Sequence, residues 1–505
     1  MTDQTESLWI RTTHPFPRLR SYVASPDATE DVIVIGAGIA GLSVALALLE
    51  EGRRVLVLEK TAIGAGQTLR TSAHLASALD DRFFSLERWH GQKGARHAAE
   101  SHAGAIERIE HWCARYGIDC AFARIDGYLL AEGAADHDDL DREHEAARRA
   151  GLDVEPVAEA VDGLTLGKAL RFRRQARIDP AAYLAGLAQA VEDRGGALVR
   201  EEVLEIEGGE WATVRTAAGT EIQARAVIVA TNVPFHEAIP VHTKQAPYRT
   251  FVQAYRIGRD DFPDILLWDM AEPYHYVRRF DDAASEASWL IVGGEDHKTG
   301  QGADSSPFPA LDEWTRARIP TVGAAEWSWS GQVIEPVDGL AFVGRDPGGM
   351  ENVYIVTGDS GNGLTHATLA AEVLVALVQG RAEPWDGLYD PRRKPIRALA
   401  TWMSENANVA VQYGDWLAAG DARPLELREG TVVRQGVHRI AVSRGAEGRL
   451  HAFSAVCPHL GGSVRWNPIE RTWDCPCHGS RFDPVDGHVL NGPSPRGLDP
   501  LGAPD

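Results

Sequence analysis

The chain is expected to fold as an α/β domain interrupted by an antiparallel sheet and followed by a small all-β domain. Three observations carry this. A strand–turn–helix–strand unit with glycines at fixed spacing occupies residues 31–59. Aromatic-rich segments that alternate as strands do run from about residue 245 to 295. After Leu425 the chain breaks into short strands and turns, and three of its five cysteines crowd into the last fifty residues.

Composition bounds what such a chain can do. Its 505 residues are enough for more than one domain. Apolar residues make up 44% of it, as in globular rather than disordered chains. Lys and Arg number 51 against 72 Asp and Glu, and this formal charge of −21 argues against nucleic acid or an anionic membrane as partner. No apolar run reaches the length of a membrane span. The opening residues, MTDQTESLWIRTTHPFPRLR, lack a charged-then-apolar leader, so a cytoplasmic location is expected. Cys113, Cys120, Cys457, Cys475 and Cys477 are spaced poorly for a disulfide framework and well for a metal site.

Residues 1–30 read as an irregular arm with Pro15, Pro17 and Pro26. Asp31 to Ile35 is a short β-branched run of the kind a buried parallel strand needs. Gly36, Gly38 and Gly41 follow at G-x-G-x-x-G spacing: one for the tight turn, one for backbone approach to a pyrophosphate, one for close helix–strand packing. Ile39 and Ala40 open a helix whose free N–H groups and dipole suit phosphate. Gly52 closes that helix, and a second strand, Val55 to Leu58, ends on Glu59, placed to accept from ribose hydroxyls. The strand, the helix and the acid together make this Rossmann-like unit a strong dinucleotide signal, where a lone glycine motif would be weak.

Small residues dominate Gly64 to Leu79, which suits a segment passing along a bound ligand. Helices with one apolar face are expected at 96–116 and 138–150, with a strand at Gly127 to Ala131 between them. Asp179 as N-cap and Pro180 at the first turn start another helix. Residues 197–230 alternate as short strands, ending in Ala226 to Asn232, a buried strand able to return to the nucleotide sheet. Past the aromatic sheet, Val353 to Thr357 leads into the turn Gly358-Asp-Ser-Gly-Asn-Gly363 and a helix from about Leu364 to Gln379. Pro384 to Pro424 reads as linker with two short helical patches.

This order of elements resembles the D-amino-acid-oxidase-like (DAO) superfamily of FAD-dependent oxidoreductases. The fingerprint ending at Glu59, the strand Val229-Ala-Thr-Asn232, and the block Gly331 to Gly344 with the 358–364 turn carry the resemblance. It implies FAD as the dinucleotide, with the second helix start facing the flavin pyrimidine edge, where reduction develops negative charge. The implied contacts are Gly36, Gly38, Ile39, Ala40, Gly41, Glu59, Lys60, Arg70, Thr71, His74, Val203, Thr231, Gly331, Gly358, Gly361, Asn362, Gly363, Leu364 and Thr365. In one branch of the family a histidine at the place of His74 is joined covalently to FAD; non-covalent packing is the other reading. By resemblance the substrate is an amine or amino acid losing hydride to the flavin. The region matching a lysine that assists oxygen in several oxidases is the apolar run Trp289 to Gly294, which leans away from an efficient oxidase.

Substrate contacts are expected from Lys244, Tyr248 and Arg249, from Tyr274, His275, Tyr276 and Arg278, and from His297 and Lys298, with His366 near the ring. Strand alternation puts Tyr274, Tyr276 and Arg278 on one face and His275 on the other. Arg278 or Lys244 would clamp a carboxylate, and Tyr276 or His275 would take the amine proton.

Cys457-Pro-His459 and Cys475-Pro-Cys-His478, fifteen residues apart, suit two thiolates on one iron and two imidazoles on the other. Zinc uses the same donor set. The surroundings Gly479-Ser480, Phe482-Asp483 and Gly492-Pro-Ser-Pro495 resemble the Rieske family, which implies a [2Fe–2S] cluster on Cys457, His459, Cys475 and His478. High-potential relatives bridge the positions of Gly462 and Cys477 by a disulfide and place a tyrosine where Phe482 stands. Without both, a potential low in the Rieske range of about −150 to +300 mV is expected. No mononuclear two-His, one-carboxylate site is evident, so the cluster is expected to be a wire. The resulting expectation is an arm at 1–30, an FAD domain at 31–384 with a substrate sheet inserted at about 235–330, a linker at 385–424 and a Rieske domain at 425–505. Such a protein would be a dehydrogenase passing electrons singly to a ferredoxin, cytochrome or quinone. An oxygen-using oxidase, an electron-transfer module running from cluster to FAD, and a non-catalytic redox sensor are the alternatives.

Overall fold

The computed structural model describes residues 6–11, 14–23, 30–157, 160–161, 164–165, 167–236, 239–282, 287–302, 306–417 and 424–501. Pro26 of the arm lies outside the described residues.

The first sheet is built on the apolar run Glu30–Ile35, buried on both faces. It pairs in parallel with Val55–Glu59 on one side and with Glu221–Val229 on the other. Ala197–Arg200 extends one edge in parallel. Val353–Thr357 joins Glu221–Val229 in parallel at its other face of pairing, so the returning strand and the late strand both end beside the glycine turn. The helix Ile39–Glu50 is buried nearly all round, packed between this sheet and the helix Gly363–Val378. That enclosure explains its uniformly apolar sequence.

The second sheet has nine strands and is mixed. Its antiparallel part runs through Ala325–Pro336, Gln245–Ile257, Ala287–Lys298, His275–Asp282 and Leu266–Asp269. Leu266–Asp269 then pairs in parallel with Ala123–Leu130, which pairs with Ala169–Arg177 and so with His74–Leu75. The sheet therefore recruits residues well outside 235–330. The apolar stretch Gly127 to Leu130 needed a partner on each side, and both lie far away in sequence.

Asp179 caps Pro180–Asp193, its Oδ1 accepting from the Ala181 and Ala182 N–H groups at 2.9 and 3.1 Å. Between the two units the chain forms one fourteen-residue helix, Leu399–Gln412, flanked by 3-10 turns, in place of two short patches. The last part is all β: Gly430–Gln435, His438–Arg444 and Leu450–Ser454 in one sheet, and four short strands between Arg465 and Asn491 in another. Among the described residues, no helix is long and apolar enough to cross a membrane.

Candidate active site and cluster loops

A cavity of about 820 Å³ opens where the glycine turn, the late helix and the second sheet meet. Gly36 makes the turn at φ +105°, and a Cβ there would lie 2.5 Å from the Ala230 carbonyl oxygen, so only glycine fits. The Glu59 carboxylate accepts from the Ala37 N–H at 3.0 Å and Thr68 Oγ1 from the Ile39 N–H at 3.0 Å, which holds the helix start open to the cavity. Gly38, Ile39, Ala40, Glu59, Lys60, Arg70, Thr71, His74, Val203, Thr231, Gly331, Gly358, Gly361, Asn362, Gly363 and Leu364 line it together with Gly36. Gly41 and Thr365 do not. Gly41 packs under the turn, where a Cβ would sit 1.9 Å from the Gly36 oxygen. Thr365 turns into the helix bundle, bonded to His102 Nδ1 at 2.8 Å.

A long cavity with two helix N-termini and an acid at its far strand fits an extended dinucleotide. His74 has both ring nitrogens engaged, Nδ1 with Ser72 Oγ at 2.9 Å and Nε2 with the Val277 carbonyl at 3.4 Å. Burial, then the Arg278 charge, lowers its pKa to about 3, so the ring is neutral. His366 also lines the cavity, its Nδ1 held by the Asp359 carbonyl at 2.8 Å.

Of the four residues expected to act on substrate, only Tyr276 reaches the cavity. Its hydroxyl meets Thr250 Oγ1 at 2.8 Å, and Tyr274 stands beside it with ring centroids 5.8 Å apart. Arg278 shares their face but lies deeper, under Trp9, donating to the Ser72 and Ile178 carbonyls at 2.7 and 2.9 Å. Its Nε and Nη2 are engaged there, and it is not among the residues lining the cavity. His275 is on the opposite face, stacked on Trp314 and held by Asp269 and Glu295. Lys244 donates to the Pro391 and Arg393 carbonyls. Arg249 is 1% exposed and pairs with Glu470 at 2.7 Å, while Lys298 pairs with Glu405 at 2.6 Å. These cations serve contacts between segments. Alternation fixes which face a side chain takes but not how far along the strand the cavity extends.

The two cysteine–histidine loops close on themselves in the same way. The Cys457 N–H donates to the Gly462 carbonyl at 2.8 Å and the Cys475 N–H to the Ser480 carbonyl at 2.8 Å. Cys457 and Cys475 are buried and share a hydrogen bond, and the His459 and His478 rings lie 4.9 Å apart. His459 Nδ1 is buried without a hydrogen-bond partner among the described residues. Two adjacent thiols facing two imidazoles, one with an orphaned nitrogen, fit a cluster held by two sulfurs and two nitrogens. A Cβ on Gly462 would sit 2.7 Å from Cys477 Sγ, the place from which a bridging thiol would reach it.

These loops press against the cavity wall. Gln332, 3% exposed, lines the cavity and donates Nε2–H to the Gly479 carbonyl at 2.9 Å, next to His478. Asn232, also at the cavity, donates to Gln332 Oε1 at 3.1 Å. Gly479 adopts φ +79°, and a Cβ there would strike Pro247 at 2.4 Å. His242 covers the histidine pair, its ring centroid 4.8 Å from that of His459. Residues 488–492 and 494–497 form part of the cavity wall itself, and Lys60 Nζ donates to the Val489 carbonyl at 3.3 Å. Sequence reading missed Asn232, Gln332, Asp80, Thr250, Trp268 and this late strip. Asn232, Gln332 and the Gly492 to Pro495 part of the strip sat inside blocks already quoted, though not as cavity residues; the others carried no motif.

Fold and donor sets together define a flavoprotein oxidoreductase with an appended iron–sulfur domain. Residues 31–377 match the family model of DAO, FAD dependent oxidoreductase, and the chain belongs to that family. Residues 415–501 match the Rieske [2Fe-2S] domain. The protein thus binds FAD and a [2Fe–2S] cluster. It is 29% identical to YhfW of Bacillus subtilis, named as a Rieske 2Fe-2S iron-sulfur protein, over 98% of this chain and 97% of that one. It is 27% identical to gamma-glutamylputrescine oxidoreductase of Escherichia coli over 76% of this chain and 92% of that one. In fold it is similar to glycine oxidase from Geobacillus kaustophilus, with a TM-score of 0.61, 20% identity, and 72% and 99% of the two chains covered.

Proposed function

We propose that the protein is a dehydrogenase of a small amine or amino-acid-like substrate, and that its electrons leave singly through the cluster domain to a ferredoxin, cytochrome or quinone. FAD supplies a hydride acceptor and the cluster a one-electron relay. The observation that carries the reading is the Gln332 bridge, a buried side chain joining the cavity wall to the residue beside His478. Asn232 and the Gln67 side chain fix Gln332 from the cavity side. His242 packs against both histidine rings, so this edge of the cluster loops faces the flavin unit. Tyr276 and Thr250 share a hydroxyl pair able to orient an amine at the cavity wall. His74 favours a non-covalent cofactor, since neither nitrogen is free. The strand at Trp289 to Gly294 favours a dehydrogenase over an oxidase: Gly293 lies flat on the Tyr276 ring, where a Cβ would come within 2.1 Å, leaving no room for a cationic side chain.

Anaerobic addition of amines and amino acids is expected to bleach the flavin and then raise the electron paramagnetic resonance signal of the reduced cluster. Cys475→Ser should keep the bleaching and abolish that signal. Rapid stoichiometric peroxide in air would overturn the dehydrogenase reading. A flavin that no small substrate bleaches would favour the redox sensor or the reverse flow.

A further inference from the structure

We propose that the substrate is a cationic amine without a carboxylate, a diamine or polyamine whose ammonium group is held by Asp80 and Asp296. This rests on reading the cavity as the site of amine oxidation and names its substrate class.

Two carboxylates, Asp80 and Asp359, line the end of the cavity beside Tyr274 and Tyr276, and Asp296 stands behind the lining Thr250, close to Asp80. Asp80 is squeezed against the late helix start: a Cβ on Gly361 would lie 2.1 Å from Asp80 Oδ2 and 3.8 Å from the Tyr274 hydroxyl. Among the described residues the Asp80 carboxylate accepts no hydrogen bond and pairs with no cation. Asp296 bonds Thr250, the partner of Tyr276, and leaves Oδ1 buried without a partner among the described residues. Behind them Ser360 Oγ donates between Asp81 and Glu335 at 2.8 and 2.6 Å, and Asp359 accepts from the Ile334 N–H. Asp80 is near enough to Asp81, Asp359, Asp296 and Glu335 for mutual repulsion with each.

Positive charge is spent elsewhere. Lys60 reaches the Val489 carbonyl, Arg70 the Ser330 carbonyl, and Arg496 pairs with Asp499. Arg82 is the cation facing Asp80 and Asp81, and its Nη2 donates to the Asp269 carbonyl. An amino-acid carboxylate at this end would meet several carboxylates in a water-poor site with Arg82 alone facing them. An ammonium would meet the Asp80 carboxylate and, beside it, the open Oδ1 of Asp296. Burial pushes Asp80 and Asp296 each up to about 7, and a bound cation would draw both back to the charged form.

The test uses the purified FAD-loaded protein under anaerobic conditions. Diaminobutane, spermidine, butylamine, glycine and glutamate are titrated while the oxidised flavin spectrum, and then bleaching, are followed. The diamines are expected to perturb the spectrum at the lowest concentrations and the amino acids to have no effect. Asp80→Asn and, separately, Asp296→Asn should each weaken diaminobutane binding at least about tenfold, with butylamine changed less than about twofold. The second variant covers the case in which the first no longer holds flavin. Amino acids that bind or bleach as well as diamines, or diamine affinity unchanged in both variants, would overturn the assignment while leaving the dehydrogenase reading intact. Diamines that bind in an aspartate-dependent way without bleaching would uphold it and overturn the dehydrogenase.

Discussion

Asp80 shows how one carboxylate can set both chemistry and stability. In the unfolded chain it titrates near the ordinary 3.8; in the folded protein burial raises this to about 7. Between those values the folded state binds the extra proton, so this group's contribution to stability is complete at low pH and is lost as pH rises through 7. Asn at this position has no proton to lose. The melting temperature of Asp80→Asn relative to the unaltered protein is therefore expected to be higher at pH 8 than at pH 5 by differential scanning calorimetry. An equal difference at both pH values would contradict the buried charge. At this scale the cluster ligands and fingerprint glycines were legible because their chemistry demands fixed spacing. Asp80 was not: it follows a small-residue segment and gains its place only when His74–Leu75 pairs with Ala176 and Arg177. Arg278 misled for the converse reason, a correct face at the wrong depth.

At the scale of elements, the cluster loop and the strand Gln245–Ile257 meet through Gly479 and Pro247. Gly479→Ala forces a side chain into a gap that has none and strains a left-handed backbone. The expected result is a protein that keeps its flavin absorbance and cluster signal but delivers electrons from reduced flavin to the cluster more slowly in stopped-flow mixing. Unchanged transfer would mean that the loop contact does not govern it. The nucleotide strands and the capped helix at Pro180 were readable from periodicity and cap chemistry. The parallel pairing of Leu266–Asp269 with Ala123–Leu130 was not, because nothing local specifies a partner so distant in the chain.

Across the whole molecule, the two units are locked by a buried charge network. Glu470 bonds Arg249 of the flavin unit and Arg481 of the cluster unit, and Arg481 bonds Asp474 at 2.9 Å. Arg249 and Arg481 hold the Glu470 carboxyl well below its usual range against burial, which would raise it. Glu470→Gln leaves guanidinium charge buried with less to balance it, at a cost of about 3–5 kcal/mol. Calorimetry should then resolve two unfolding transitions where the unaltered protein gives one. A single unshifted transition would show that the network is not what couples the units. Sequence alone could suggest each unit but not the docking, since Arg249 and Glu470 are 221 residues apart, Arg249 reads as a substrate contact and Glu470 carries no motif.

The strip 488–497 has a consequence for how the protein is made. It is synthesised long after the fingerprint glycines, yet it walls the same cavity. The flavin unit must therefore wait, unsealed, until residues 488–497 have been made and the cysteine–histidine loops have taken a shape that iron and sulfide help to fix. Cofactor retention at one end of the molecule is then tied to metal supply at the other, and a cell short of iron would accumulate chains that leak flavin.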